Sequence, residues 1–66
     1  MSLIPAHTVA VEALYTVTRA YDAAGGDLGS PERLEAGRIL SNPQMSWYPH
    51  HVAETGRALL RRIKNA

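Results

Sequence analysis

The stretch from His7 to Ala24, HTVAVEALYTVTRAYDAA, decides the fold of this chain. Its apolar residues at alternating steps of four and three are Ala10, Leu14, Val17, Tyr21 and Ala24. That spacing places them on one face of an amphipathic helix. Pro5 fits the first turn, where a missing N–H costs nothing, and Gly25 with Gly26 supplies the left-handed residue that ends many helices. We therefore predict a first helix over about His7–Ala24.

A second helix is predicted from Pro31 to about Leu40. Ser30 is a favoured N-cap residue, and a proline fits the first helical position. Pro43 ends the helix, because the residue before a proline is disfavoured in the helical region. The apolar residues form no wide stripe. The side expected to dock is formed by Leu34 with Ile39 or Leu40.

A third helix is predicted from Pro49 to about Lys64. Its apolar residues at helical spacing are Val52, Gly56, Leu59, Leu60 and Ile63. A glycine inside a helix costs roughly 1 kcal/mol relative to alanine, and we interpret Gly56 as a close crossing with the Ala-rich first helix. The sequence therefore predicts one all-α domain over residues 1–66, with a long first helix, a short middle helix and a basic last helix.

A chain of 66 residues without cysteine needs stabilisation beyond its own core. At this size only about 60% of the surface that the unfolded chain exposes becomes buried. Disulfides are excluded, so association is the expected supplement. We predict a homodimeric helical bundle joined through the first and last helices. The residues assigned to its core or its dimer seam are Leu14, Val17, Tyr21, Leu59, Leu60 and Ile63.

Charge is distributed unevenly, although the net charge is only +1. Residues 1–35 carry two arginines against five acids, a net charge of −3, whereas residues 36–66 carry five cations against Glu54 alone, a net charge of +4. Such polarity suits head-to-tail contact between copies, or an acidic partner steered by Arg57 and Arg61. The helix dipole offers an explanation without a partner, because cations are favourable in a last helical turn.

The connector Asn42–His51, NPQMSWYPHH, holds the single tryptophan, one of three tyrosines and one of two methionines. Trp47 and Tyr48 are amphipathic residues that serve equally to close a small core and to bind a partner. As interface residues they would supply much of the binding energy, and Met45 would add adaptable contact area. Both alternatives stay open. The partner-binding residues in the second alternative are Met45, Trp47, Tyr48, Arg57 and Arg61.

Patterns for catalysis and metal binding are weak in this sequence. His50 and His51 share one helical turn with Glu54, but a catalytic zinc site requires a third protein ligand and the HExxH order is absent. The serines occupy termini or capping contexts, and GGDLGS lacks the preceding strand and following lysine of a phosphate loop. We expect no enzymatic activity, no metal and no cofactor.

DNA binding is the alternative function. A compact three-helix protein with a basic last helix is similar to helix-turn-helix modules. However, the connector between the second and third helices has about eight residues, whereas the turn of that motif has about three or four. A net charge near zero also supplies little affinity through counterion release. A small dimeric DNA-binding regulator that uses its basic C-terminal helix therefore ranks second.

The sequence also bears on location. No apolar run approaches the roughly 20 residues that span a bilayer, and the N-terminus lacks the basic flank of a signal peptide. The absence of cysteine fits a reducing cytoplasm. We expect a cytoplasmic protein.

Ala- and Arg-rich usage, one aromatic connector and a basic end characterise the whole chain. The residues that carry the last two features are Met45, Trp47, Tyr48, Arg57, Arg61, Arg62 and Lys64. In this style the chain resembles the small helical inhibitors encoded by phages of GC-rich bacteria, such as anti-activators and anti-CRISPR proteins. The resemblance implies a stoichiometric binder in the host cytoplasm that occludes a host regulatory protein, such as a transcriptional activator or an assembly ATPase. It transfers no functional residue.

Overall fold

A computed structural model describes residues 6–42, 44 and 48–65, and these ranges contain three helices. They are α1 (Ala6–Ala23), α2 (Pro31–Ser41) and α3 (Pro49–Lys64). The prediction of an all-α chain of three helices is confirmed. The third helix has the predicted bounds, the first differs from prediction by one residue at each end, and the second extends one residue further at its C-terminal end. Pro5 lies outside the described residues.

The C-terminus of α1 is closed by a Schellman motif. The Gly26 N–H donates to the Tyr21 carbonyl at 3.0 Å, and the Gly25 N–H donates to the Asp22 carbonyl at 3.1 Å. These two bonds satisfy carbonyls that have no partner within the helix. Gly25 adopts a φ of +79°, a conformation that costs side-chain-bearing residues steric strain. The predicted glycine stop is therefore confirmed.

The corner between α1 and α2 is fixed by a buried hydroxyl pair. The Tyr21 hydroxyl donates to the Asp27 carbonyl at 2.7 Å, and its oxygen lies 3.1 Å from Ser30 Oγ. Because the single tyrosine proton is already used, the Ser30 hydroxyl donates to the Tyr21 oxygen. Ser30 Oγ in turn accepts from the Arg33 N–H at 3.2 Å, which is the predicted N-cap bond of α2. The end of α1 and the start of α2 thus share one hydrogen-bond chain.

An ion pair also joins the two helices. Arg33 donates from Nε and Nη2 to the two carboxylate oxygens of Asp22, at 2.9 and 3.0 Å. This bidentate geometry is the strongest form of an arginine–carboxylate contact. The hydrogen bond from Arg33 lowers the pKa of Asp22 below its ordinary value of 3.8.

The Asp22 pair predicts a pH dependence of stability. A carboxylate whose pKa is lower in the folded state contributes stability above its unfolded pKa and loses it as the pH falls through the folded value. We expect Asp22→Asn to lower the free energy of unfolding at pH 7 and to approach the wild type below pH 3.8. Urea unfolding from pH 7 to pH 2.5 measures this, with Glu12→Gln on the same helix as a control. A difference between wild type and Asp22→Asn that stays constant with pH would contradict the assignment.

The three helices form an up-down-up bundle. Val9 of α1 lies with Pro49 of α3 around one hollow, and Tyr21 lies with Arg61 around another, so α1 and α3 run in the same direction. Between them α2 runs the opposite way. The buried apolar residues that form the core are Leu14, Tyr21, Ala36, Ile39, Val52 and Leu59.

The predicted docking side of α2 is wrong in part. Leu34 is 58% exposed, whereas Ala36 and Ile39 are buried, and Leu40 packs partly against the core. Positions two apart on a helix are separated by roughly 200°, so Leu34 lies opposite Ala36. The small Ala36 allows α2 to approach the other helices closely, and Leu34 is left facing away from the core.

Candidate protein interface on helices α1 and α3

An apolar surface lies along α1 and α3 on the side away from α2. We call it the α1–α3 face and define it by Val9, Ala10, Ala13, Val17, Ala53, Gly56 and Leu60. Its centre is a hollow of about 210 Å³. Val9 is 52% exposed, Leu60 is 39% exposed, and Ala13 is also exposed. Both helices therefore present apolar side chains to solvent along the same side of the bundle.

The α1 half of this face is a column of small side chains. Val9, Ala13 and Ala20 follow at steps of four and seven, so they project from one side of the helix. The charged residues of α1 point elsewhere: Asp22 pairs with α2, and Arg19 lies over the Tyr15 ring, 5.7 Å from its centroid. Glu12 lines a separate hollow with Leu40 of α2. The column is consequently flat and uncharged.

The α3 half carries the larger side chain and the charge. Leu60 projects beside Gly56, and a Cβ built on Gly56 would lie 3.8 Å from Leu14 Cδ1. Gly56 therefore faces α1, but an alanine would also fit there, so the predicted close crossing does not depend on the glycine. Arg57 lines the same hollow, and it is bonded to Glu54 at 2.7 Å.

The residues predicted for the core or the dimer seam separate into two groups. Leu14, Tyr21 and Leu59 are buried within the chain, and Ile63 packs partly against them. Leu60, by contrast, lies on the α1–α3 face, together with the half-buried Val17. Only the second group is placed to contact another molecule.

Of the residues predicted to anchor a partner in the connector, Tyr48 lies within the part of the chain that the structure describes. Tyr48 is 62% exposed and occupies the N-cap position of α3 without a side-chain cap bond. Pro49, the next residue, lines the end of the α1–α3 face beside Val9. Tyr48 thus directly precedes the α3 residue that lies at the N-terminal end of this face. Met45 and Trp47 lie outside the described residues.

Arg57 and Arg61 lie one helical turn apart on α3, and residues four apart share one side of a helix. Arg57 borders the α1–α3 face, and Arg61 lines a neighbouring hollow with Glu32 of α2 and Thr55 of α3. Both side chains are exposed. A single partner can therefore contact both arginines beside the α1–α3 face.

Some of the unevenly distributed charges form ion pairs within the chain, between α2 and α3. Arg62 donates to Glu32 across the gap between α3 and α2, and His51 Nε2 lies 2.7 Å from Glu35 Oε2. The hydrogen bond from His51 lowers the pKa of the Glu35 carboxyl, and the charge of Arg38 adds to the effect. These contacts tie the two glutamates of α2 to α3, so Arg62 is less available to nucleic acid than the sequence suggested.

The contact between His51 and Glu35 also bears on the weak metal-binding pattern of the sequence. His51 faces Glu35 rather than Glu54, which bonds to Arg57 instead. Within residues 6–42, 44 and 48–65, no three histidine, aspartate or glutamate side chains gather around a point where a metal ion would fit.

Several members of the α1–α3 face were not singled out by sequence reasoning. Val9, Ala13 and Ala53 are small, and the stronger stripe through Leu14 and Tyr21 dominates the α1 pattern. The sequence does contain a second column of apolar residues beside the first on α1. Together the two columns form an apolar surface wider than packing against one neighbouring helix requires, which indicates a further contact.

Comparison with protein-family models, with curated proteins and with solved structures finds no match to this chain. Among the described residues, no helix combines the length and apolar character required to cross a membrane.

Proposed function

We propose that this chain is a non-enzymatic protein-binding module that acts as a homodimer joined through its first and last helices. In this proposal it binds a host regulatory protein, such as a transcriptional activator or an assembly ATPase, and occludes its surface as a small phage-type inhibitor does. The host cytoplasm is the proposed site of action.

The observation that carries the proposal is the exposure of the α1–α3 face. Val9, Ala13 and Leu60 are exposed, whereas the core formed by the described residues contains six buried apolar side chains. Contiguous apolar surface on a small protein marks a site of association. A small chain also gains from association the stability that its core cannot supply.

The buried polar side chains support a structural rather than a catalytic use. Thr18 donates to the Leu14 carbonyl at 2.7 Å, and Thr55 donates to the His51 carbonyl at 2.9 Å. Ser30 caps α2. Each of these hydroxyl groups takes part in a backbone hydrogen bond, and that of Ser30 also bonds to Tyr21, which suits a binding scaffold.

Purification of the tagged protein from its native host lysate tests the function. Mass spectrometry identifies what co-elutes, and light scattering gives the mass of the same sample. One dominant host protein, retained as salt is raised, supports the proposal. Nuclease-sensitive nucleic acid alone, lost steeply with salt because of counterion release, contradicts it and favours DNA binding through the exposed Arg61 and Lys64.

Tyr48→Ala is expected to weaken binding to that host protein by about 1–2 kcal/mol, or roughly tenfold in Kd, as for a tyrosine anchor. Helical content should be unchanged, because Tyr48 is exposed and makes no cap bond. Tyr15→Ala is the matched control, since Tyr15 is 52% exposed on the side of α1 away from the α1–α3 face. Equal effects of the two variants would contradict the placement of the anchor.

A further inference from the structure

The two halves of the α1–α3 face differ in shape, and each suits the other. The α1 half consists of the small side chains Val9, Ala10, Ala13 and Val17, and the α3 half projects Leu60 beside Gly56. Flat columns of small residues allow a neighbouring helix to approach closely and receive a larger side chain. The α3 half of one copy therefore fits the α1 half of another better than it fits itself.

We propose that the occupant of the α1–α3 face is the same face of a second copy, with α3 of each copy lying over α1 of the other. This arrangement rests on the homodimer proposed above. Because α1 and α3 run in the same direction, the two-fold axis lies between the copies and parallel to the helices. Each residue of α1 then meets the α3 residue of the second copy at its own height, so Ala13 meets Ala53.

Charge favours packing of α3 on α1 of the other copy over packing of α3 on α3. Arg57 lines the face, and Lys64, seven residues later, projects from the same side of α3. Laying α3 over α3 brings two copies of these cations into one seam, where like charges repel. Laying α3 over α1 places them against the uncharged side chains of Val9, Ala13 and Val17 instead.

The size of the face approaches that of the smallest specific dimer interfaces. A helix of 16 residues, such as α3, is roughly 24 Å long, and two packed helices with their side chains are about 18–20 Å wide. The projected face is then roughly 450 Å², and surface relief raises the accessible area toward the ~600 Å² per partner that the smallest specific interfaces bury.

The arrangement creates a composite binding end. A two-fold axis parallel to the helices places both copies of Tyr48 at one end of the dimer and both basic helix ends, with Arg61 and Lys64, at the other. The partner is then contacted by a pair of tyrosines, so the partner site is incomplete in a single copy. An antiparallel arrangement would place the tyrosines at opposite ends.

Engineered cysteines test the arrangement cleanly, because the natural chain has none. Ala13→Cys and Ala53→Cys are purified separately under reduction, mixed, allowed to exchange subunits and oxidised. We expect a disulfide between the two variants. Residues held together in a dimer have an effective concentration near millimolar, so its yield at micromolar protein should exceed that of a Leu34→Cys collision control on the order of 100-fold.

The possible outcomes distinguish failure of the proposed arrangement from failure of the homodimer itself. Predominant Ala13→Cys self-linkage would show α1 lying over α1 and overturn the arrangement. A mass of twice 7.2 kDa with no cross-linking above the Leu34→Cys control would also overturn it, while leaving the homodimer standing. A mass of 7.2 kDa at all concentrations would contradict the homodimer itself.

Discussion

Leu60→Glu is expected to convert the dimer into a folded monomer. The side chain is partly exposed on the α1–α3 face, so the change leaves the core intact. In the dimer, the two-fold symmetry buries two new carboxylates against apolar side chains. Burial of an imperfectly paired charge costs several kcal/mol, and a total of about 3 kcal/mol already raises the dimer Kd roughly 100-fold.

The monomer should remain helical for a local reason. A glutamate at position 60 precedes Lys64 by four residues and follows Arg57 by three, and such pairs stabilise an isolated helix by about 0.2–0.5 kcal/mol each. Leu34→Glu is the matched control, since Leu34 is more exposed and lies on α2. Light scattering and circular dichroism measure mass and helicity. If both variants keep the wild-type mass, or if Leu34→Glu dissociates equally, the α1–α3 face is not the seam.

Gly26→Ala is expected to cause the largest loss of intrinsic stability. A Cβ built on Gly26 would lie 2.5 Å from Cζ of the Tyr21 ring, far inside van der Waals contact. The ring cannot move freely, because its hydroxyl is bonded to the Asp27 carbonyl and to Ser30. Overpacking together with the loss of these hydrogen bonds should lower the free energy of unfolding by roughly 2–4 kcal/mol.

That loss is a large fraction of the stability of a 66-residue chain, which is typically about 3–10 kcal/mol. Thermal unfolding should show a Tm lowered by roughly 10 °C or more. Gly29→Ala is the control, because its Cβ would meet only Asp27 Oδ1 at 3.4 Å. A double-mutant cycle with Tyr21→Leu isolates the contact. If Gly26→Ala costs as much in that background as in the wild type, the ring is not the cause.

The helices themselves were predictable because their signals are local. The spacing of Leu14 and Tyr21 predicts the buried side of α1, and Ser30 with Pro31 predicts where α2 begins. Both signals act within a few residues. The side of α2 that docks was less predictable, because Ala36 is buried through its small size and carries little apolar signal of its own.

Contacts between distant residues could not be predicted from spacing. The bond between Tyr21 and Ser30 and the pair between Arg62 and Glu32 join residues on different helices. They depend on how the helices cross, and several other acid–base combinations were equally compatible with the sequence.

The sequence predicted which two helices form the candidate interface, but not which of their residues are exposed on it. The sequence assigned Leu14 and Leu60 to one common set of core or seam residues. It could not separate them, because the separation depends on which side of α1 and α3 the middle helix covers. In the structure α2 covers the side of Asp22 and Thr55, and Leu60 is left exposed.

Sedimentation equilibrium of the wild-type chain over a concentration series tests the central claim most directly. We expect a mass that approaches twice 7.2 kDa as the concentration rises, and a return to 7.2 kDa in Leu60→Glu under the same conditions. A wild-type mass of 7.2 kDa throughout the series would contradict the proposal that the α1–α3 face joins two copies of this protein.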